Sequence, residues 1–311
     1  MAKQLRITYG EALAELGESD RRIVVVDADM AEGTRTIDFK KRFPRRFFDV
    51  GIAEQNLVGV GAGLSLTGLI SFVNTFAWLL TLRAGDPVRT LVAYANTNVK
   101  LAAGYGGFSG PMDGASHESI TDIAVMRAMP GLVVLSMGDH WEVKMALQAV
   151  TRYVGPVYLR LSRAAVDNFH STGTNFEIGR GIILREGPDI LFITTGPITG
   201  RVIEASGKLA RKGIDVEIIE IHTIKPLDKA LILREAKRIG RVITVEEHSV
   251  IGGLGSAVCE LLSETSPLPV RRMGINDTFG ETGPYEELLD LYGLSVDDLV
   301  KAATDMLEKE D

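Results

Sequence analysis

The stretch DVGIAEQNLVGVGAGLS, Asp49 to Ser65, decides how this chain is read. Its later positions include Leu57, Val58, Val60, Ala62 and Leu64, with glycines between them. A helix of that composition has little solvated face. Glu54 at its mouth is therefore expected to be buried, and a buried carboxylate needs a partner or a task. Read alone, Glu54 fits two roles. It could be an acid held by the helix dipole, worth about 0.3–1 kcal/mol, or a carboxyl that shares a proton with a ligand nitrogen.

On both sides of this stretch, short unbroken apolar runs recur: RIVVVDAD (22–29), TLVAYAN (90–96), VKLAAGY (99–105), LVVLSM (132–137) and VYLRLS (157–162), then ILFITTG (190–196), VEIIEIH (216–222) and RVITVEE (241–247). They lack period-2 alternation, as strands covered on both faces of a parallel sheet do. Helical patterns fall between many of them, at 8–18, 118–129, 140–153, 201–213 and 229–240. The alternation predicts an α/β protein with open parallel sheets. The polar, Gly- and Thr-rich segment from Ala164 to Pro188 breaks the rhythm before a fresh strand–helix series. Two open α/β domains are expected, 1–168 and 189–311, joined by 169–188, with ligand sites outside the carboxyl ends of strands.

Composition sets further bounds. The 311 residues suit about two domains, and a 45% hydrophobic, 24% charged content is that of a globular chain with a sizeable core. A net charge of -7 with no basic, aromatic-interleaved patch argues against nucleic acid. The single Cys259 leaves no internal disulfide and fits a reducing compartment. The N-terminus MAKQLRITYGEAL has no secretory h-region. The apolar run Gly68–Leu82 contains Asn74 and two threonines and is shorter than the ~20 residues a bilayer needs. It is read as buried interior, no membrane partner is expected, and a cytoplasmic location follows.

Three more segments can carry chemistry. Phe72, Phe76 and Trp78 cluster after the turn at Gly68, either as core aromatics or as a platform for a flat ring. Between Gly104 and Gly114 stand five glycines, which would let backbone approach a ligand closely. Asp113, within this loop, and His117 sit four residues apart, before a capping-type SITD. His117 could hydrogen-bond a hydroxyl or move a proton near neutral pH, or be an ordinary surface histidine. The other four histidines show no metal-ligand spacing, and no metal is assigned to this chain. GGLGSAV, at Gly252, could cradle a phosphate or simply allow tight strand–helix packing.

Taken in order, GIAEQN (51–56), TFAW (75–78), DGASHE (113–118), DIAVMRAMPG (122–131) and GPVYLRLSR (155–163) resemble the pyrimidine-binding domain of the transketolase family. LRITYGEALAEL (5–16) and VVVDADMAEGT (24–34) are similar to the start of that domain. DILFITTG, HTIKPLD and EEHSVIGGLGSAV resemble the family's C-terminal domain, so the likeness covers nearly the whole chain. The resemblance implies thiamine diphosphate as cofactor and a two-carbon ketol transfer between sugar phosphates. It makes Glu54 the acid at N1′ of the aminopyrimidine and places Asp29 near the thiazolium. It puts Phe76 in the aromatic pocket, with Trp78 and Leu79 beside the ring. It implies that His117 and Asp113 contact the sugar hydroxyls. Arg6 and Arg163 would hold the substrate phosphate, for which a guanidinium fork is suited.

Departures accompany the likeness. Leu79 and Leu82 stand where the family has aromatics, Tyr105 where many members have a histidine near the phosphate, and Gly33 where a serine is common, with Thr34 adjacent. They raise the expectation of a modified or branched sugar phosphate. No Gly-Asp-Gly motif, which in the family's diphosphate-binding domain holds Mg²⁺, occurs in the chain. The resemblance is thus to the C-terminal half of a split transketolase. It implies a separate N-terminal partner chain that holds Mg²⁺ and an α2β2 assembly with β–β contact. A 2-oxoacid dehydrogenase β subunit or deoxyxylulose-phosphate synthase-like enzyme shares the architecture, and a non-catalytic regulatory subunit is the rival from another class.

Overall fold

The computed structural model describes residues 3–171 and 173–308. The strands are β1 (Lys3–Gln4), β2 (Ile23–Asp27), β3 (Phe47–Asp49), β4 (Ile70–Phe76), β5 (Val99–Gly104), β6 (Val133–Ser136), β7 (Val157–Arg160) and β8 (Ala165–Val166), then β9 (Ile182–Arg185), β10 (Ile190–Thr194), β11 (Val216–Glu220), β12 (Thr223–Lys225), β13 (Val242–Ser249) and β14 (Val270–Ile275). They form a seven-stranded sheet in the order β12-β6-β7-β5-β4-β2-β3, a five-stranded sheet in the order β14-β13-β10-β11-β9, and the small pair β1-β8. Pairings in the large sheets are parallel except at one edge of each, where β12 runs against β6 and β9 against β11. This is the mixed α/β architecture with open parallel sheets that the apolar runs predict. Their lack of alternation has its reason in burial: every residue of β2, β4 and β10 is buried.

The two halves interlock. β12, from the C-terminal half, completes the edge of the first sheet, and β9 of the second sheet lies within the segment read as a linker. Arg160, at the end of β7, lies at the joint. It is 4% exposed, donates from Nε to Asp122 at 2.8 Å and from Nη2 to the Ser119 and Glu247 carbonyls, each at 3.0 Å. Removing a partner from a charge buried like this costs far more than breaking a surface pair.

Three local expectations are corrected. TLVAYAN is not a strand but part of wide helical turns over Val88–Tyr94. Val88 and Val92 are buried while Leu91 and Tyr94 are exposed, a helical rather than a sheet pattern. The helix expected over 118–129 is confined to Asp122–Arg127, and Thr121 at its start makes no side-chain cap. The glycine-rich loop packs against the second domain as much as it opens space. A Cβ on Gly107, at φ +68°, would collide with the Glu247 carboxyl, and one on Gly114, at φ +73°, would strike Thr282. Phe108 N–H donates to Glu247 Oε1 at 2.6 Å.

Candidate functional site

The carboxyl ends of β2, β3, β4 and β5 lie side by side, and the sequence-predicted site residues gather there, as the rule for open α/β sheets requires. Glu54 is the first residue of the helix Glu54–Ser65 and is 4% exposed. Gly61 in that helix has no room for a Cβ because Val73 of β4 sits against it, which holds the helix tightly on the sheet. Glu54 Oε2 faces Arg83 Nη1 at 3.6 Å, too far for a hydrogen bond. The Arg83 guanidinium, itself half-exposed, lies over the Trp78 ring at 5.2 Å.

From Trp78 the contacts continue without a break. The His117 ring meets Trp78 edge-on at 6.2 Å and Phe76 edge-on at 5.8 Å. Phe76 packs on Tyr105 with centroids 4.1 Å apart, and Leu79 completes this small apolar cluster, with Met30 against it. Arg163 lies over the Tyr105 ring at 5.0 Å and faces Asp113 Oδ2 at 3.7 Å. Arg6 and Arg163 line one tight pocket with Tyr9, Gly33, Asn74 and Tyr105. Arg6 donates from Nη1 to the Gly33 carbonyl at 3.0 Å and from Nε to Gln4 at 2.9 Å. Burial is the main influence on its guanidinium and lowers its pKa. Tyr105 sits at φ +61°, a left-handed conformation uncommon for an aromatic residue and concentrated at functional turns.

Asp29 stands apart from the aromatic cluster. It is exposed, at φ +59°, and its N–H donates to Asp49 Oδ1 at 3.0 Å. The buried acid of that turn is Asp27, which accepts from Met30 N–H and from the hydroxyls of Thr34 and Thr36 at 2.6, 2.9 and 2.8 Å. Phe72, grouped with Phe76 and Trp78 in the sequence, is core. His117 does not sit at a helix N-terminus, because its segment is a turn closed by its own N–H on the Gly114 carbonyl. The glycines at 252–253 do precede a helix, Leu254–Thr265, but the protein's own Glu246 fills that N-terminus. Its carboxylate accepts from the N–H groups of Leu254 and Gly255 at 2.7 and 2.8 Å, which satisfies them as a phosphate would.

Sequence reasoning missed Arg83, the cation facing Glu54, which has no motif around it. It also missed Glu118, buried beside the site loop. Burial, with the nearby Glu247, pushes the Glu118 carboxyl up to about 7, and neither of its oxygens has a hydrogen-bond donor.

Residues 2–168 match the transketolase pyrimidine-binding domain and residues 179–299 the transketolase C-terminal domain. The chain belongs to the transketolase family and corresponds to its C-terminal half. It is 44% identical, at a TM-score of 0.91, to a solved split gene transketolase described as an inactive beta4 tetramer, with 98% of each chain covered. A 6-deoxy-6-sulfo-D-fructose transketolase subunit from Clostridium sp. is 38% identical over 98% of this chain and 95% of that one. One of the subunits of an apulose-4-phosphate transketolase from Phocaeicola vulgatus is 37% identical over 98% and 97%. The fold also matches transketolase from Campylobacter jejuni at a TM-score of 0.81, there covering 47% of the longer chain. Among the described residues no helix is long and apolar enough to cross a membrane.

Proposed function

We propose that this chain is the catalytic C-terminal subunit of a two-chain transketolase that moves a two-carbon ketol unit between sugar phosphates. The single observation that carries the reading is the unbroken run of contacts from buried Glu54, through Arg83, Trp78, His117, Phe76 and Tyr105, to the paired arginines. It joins a buried acid, an apolar platform, a histidine and two guanidiniums in one line, which supports an acid at a ring, groups for hydroxyls and cations for a phosphate.

The residues fit the aminopyrimidine end of thiamine diphosphate. Glu54 is buried yet has only a loose, half-exposed cation opposite it, and Trp78 Nε1 is buried without a partner. Bound there, the cofactor supplies the electron sink for carbon–carbon cleavage in a ketose. Glu54 would hydrogen-bond the ring nitrogen and hold its proton, while Phe76, Leu79 and Trp78 would pack the ring and exclude water. Asp29 would stand at the thiazolium side. His117 and Asp113 would take the sugar hydroxyls, with Tyr105 beside them. Arg6 and Arg163 would bind the substrate phosphate, the planar fork matching its oxygens. Domain limits of 1–168 and 189–311 would place every one of these residues in the first domain.

The diphosphate and its Mg²⁺ belong, on this reading, to an N-terminal partner chain. Support comes from the apolar residues around Glu54 that face outward. Ile52 and Leu82 are 75% and 62% exposed, and Leu91 and Tyr94 stand out on the turns beside the Glu54 helix. Exposed apolar groups so concentrated are typical of a protein interface, and an α2β2 assembly with β–β contact would cover them.

The test is turnover by the chain co-purified with a diphosphate-binding partner, offered a ketose phosphate, a ketose sulfonate or pyruvate as donor. Ketol transfer from the ketose phosphate is expected. Preference for the sulfonate, which presents similar tetrahedral oxygens to the arginines, would correct the substrate class. Turnover with pyruvate alone would replace this reading with that of a 2-oxoacid enzyme, and no turnover with any donor would favour a regulatory subunit.

A further inference from the structure

A second cluster of ionisable groups is sealed between the two domains and shares none of the residues of the proposed cofactor site. Asp139 caps the helix His140–Arg152 through the Glu142 N–H. Its Oδ2 also accepts from the N–H groups of Phe169 and His170, at 3.0 and 2.9 Å, and lies 3.0 Å from His170 Nδ1. An acid so placed fixes the imidazole with its proton on Nδ1, leaving the Nε2 lone pair directed away. Nε2 has no hydrogen-bond partner and stands 3.8 Å from Glu142 Oε1, which has none either. Neither oxygen of Glu220, the last residue of β11, completes a hydrogen bond of ordinary geometry, although the His222 N–H and the Glu142 carboxyl lie close to it. The side chains of Glu142 and His170 are fully buried, as is Glu220, and one ligand atom from each lies within 4.8 Å of the others.

We propose that Glu142, His170 and Glu220 bind a divalent transition-metal cation, zinc being the probe of choice, which clamps the first domain, the connecting segment and the second domain together. Among the described residues Glu142 accepts only from the Gly138 N–H, at 2.7 Å through Oε2; two carboxylates buried together with so few donors are costly, and a dication balances their charge. Asp139 behind His170 forms the acid–imidazole–metal arrangement that orients a histidine ligand. One nitrogen and two carboxylate ligands suit zinc, whose bonds of about 2.0–2.2 Å would bring the three ligand atoms from within 4.8 Å to roughly 3.3–3.6 Å of one another. His222, two residues beyond Glu220, presents a further buried Nε2 without a partner. Histidine spacing in the sequence hides this set, because its members come from a helix, a connecting segment and a strand end. The rival arrangement is a metal-free pair in which Glu142 and Glu220 share one proton.

The test uses the full chain alone, without the partner that would carry Mg²⁺, so it is independent of the proposed transferase activity. The chain is stripped with a chelator, then titrated with Zn²⁺ against a chromophoric competitor. Co²⁺ substitution supplies a visible spectrum that reports ligand geometry. One Zn²⁺ per chain is expected, with a rise in Tm and a Co²⁺ spectrum of low coordination number. Glu220→Gln and His170→Asn should weaken Zn²⁺ binding by about 100-fold or more, and Asp139→Asn by about 10- to 100-fold. Each variant is checked first by circular dichroism. If a variant does not fold, wild-type stoichiometry and the Co²⁺ spectrum decide. Substoichiometric binding by the wild type, or equal affinity in the folded variants, overturns the proposal and leaves the shared proton.

Discussion

Glu54→Gln, assembled with the partner chain, is expected to lose at least about 10²–10⁴ in kcat, the range that positioned acid–base groups contribute, while its circular dichroism and Tm stay close to wild type. The amide keeps the size of the carboxyl and can still hydrogen-bond, but it cannot carry the proton that the ring nitrogen requires. Because Glu54 meets Arg83 only at 3.6 Å, the substitution breaks no tight ion pair, so stability and turnover should separate. Arg83→Gln is the companion control. Its guanidinium is half-exposed and stacks on Trp78, and screening makes such a pair worth little. Appreciable turnover by Glu54→Gln in steady state would remove Glu54 from the chemistry and return it to the role of a helix-dipole acid.

Arg6→Gln and Arg163→Gln together should raise KM for a sugar phosphate by more than either alone, each by roughly 10- to 100-fold. A hydrogen bond to a charged group contributes about 1.5–3 kcal/mol, and that is the loss expected per guanidinium. The turnover number should fall less, because phosphate binding is felt in ground and transition states alike. Arg6 is already anchored on Gly33 and Gln4, so it offers a fixed direction rather than a floating charge. Arg163 is different: it is shared with Asp113 and Tyr105 and must partly release Asp113 to engage an anion. A phosphate-free ketose is the discriminating substrate. Equal losses with and without the phosphate would show that the arginines shape the pocket rather than bind the anion.

How much of this was legible in the sequence depends on distance along the chain. Strand runs and the Glu54 helix were readable because burial on both sheet faces leaves a local mark, and TLVAYAN misled because a short apolar run does not distinguish strand from helical turn. The aromatic cluster was readable at Phe76, which ends β4, and Trp78, two residues beyond it. Arg83 was not, since its relation to Glu54 exists only once two separate segments pack together. The glycine loop showed its flexibility in sequence but not its neighbours, Glu247 and Thr282, more than a hundred residues away. At Gly252 the pattern that suggests an anion cradle is real, yet the anion is the chain's own Glu246.

The central claim is that half of a thiamine diphosphate site resides here and is completed by another chain. Calorimetric titration of thiamine diphosphate with Mg²⁺ into this chain, into the partner and into the assembled pair tests it most directly. The account predicts tight binding to the pair and none of comparable strength to either chain alone, with Phe76→Ala weakening the binding by the pair. Equal binding by this chain alone, or none by the pair, would contradict it.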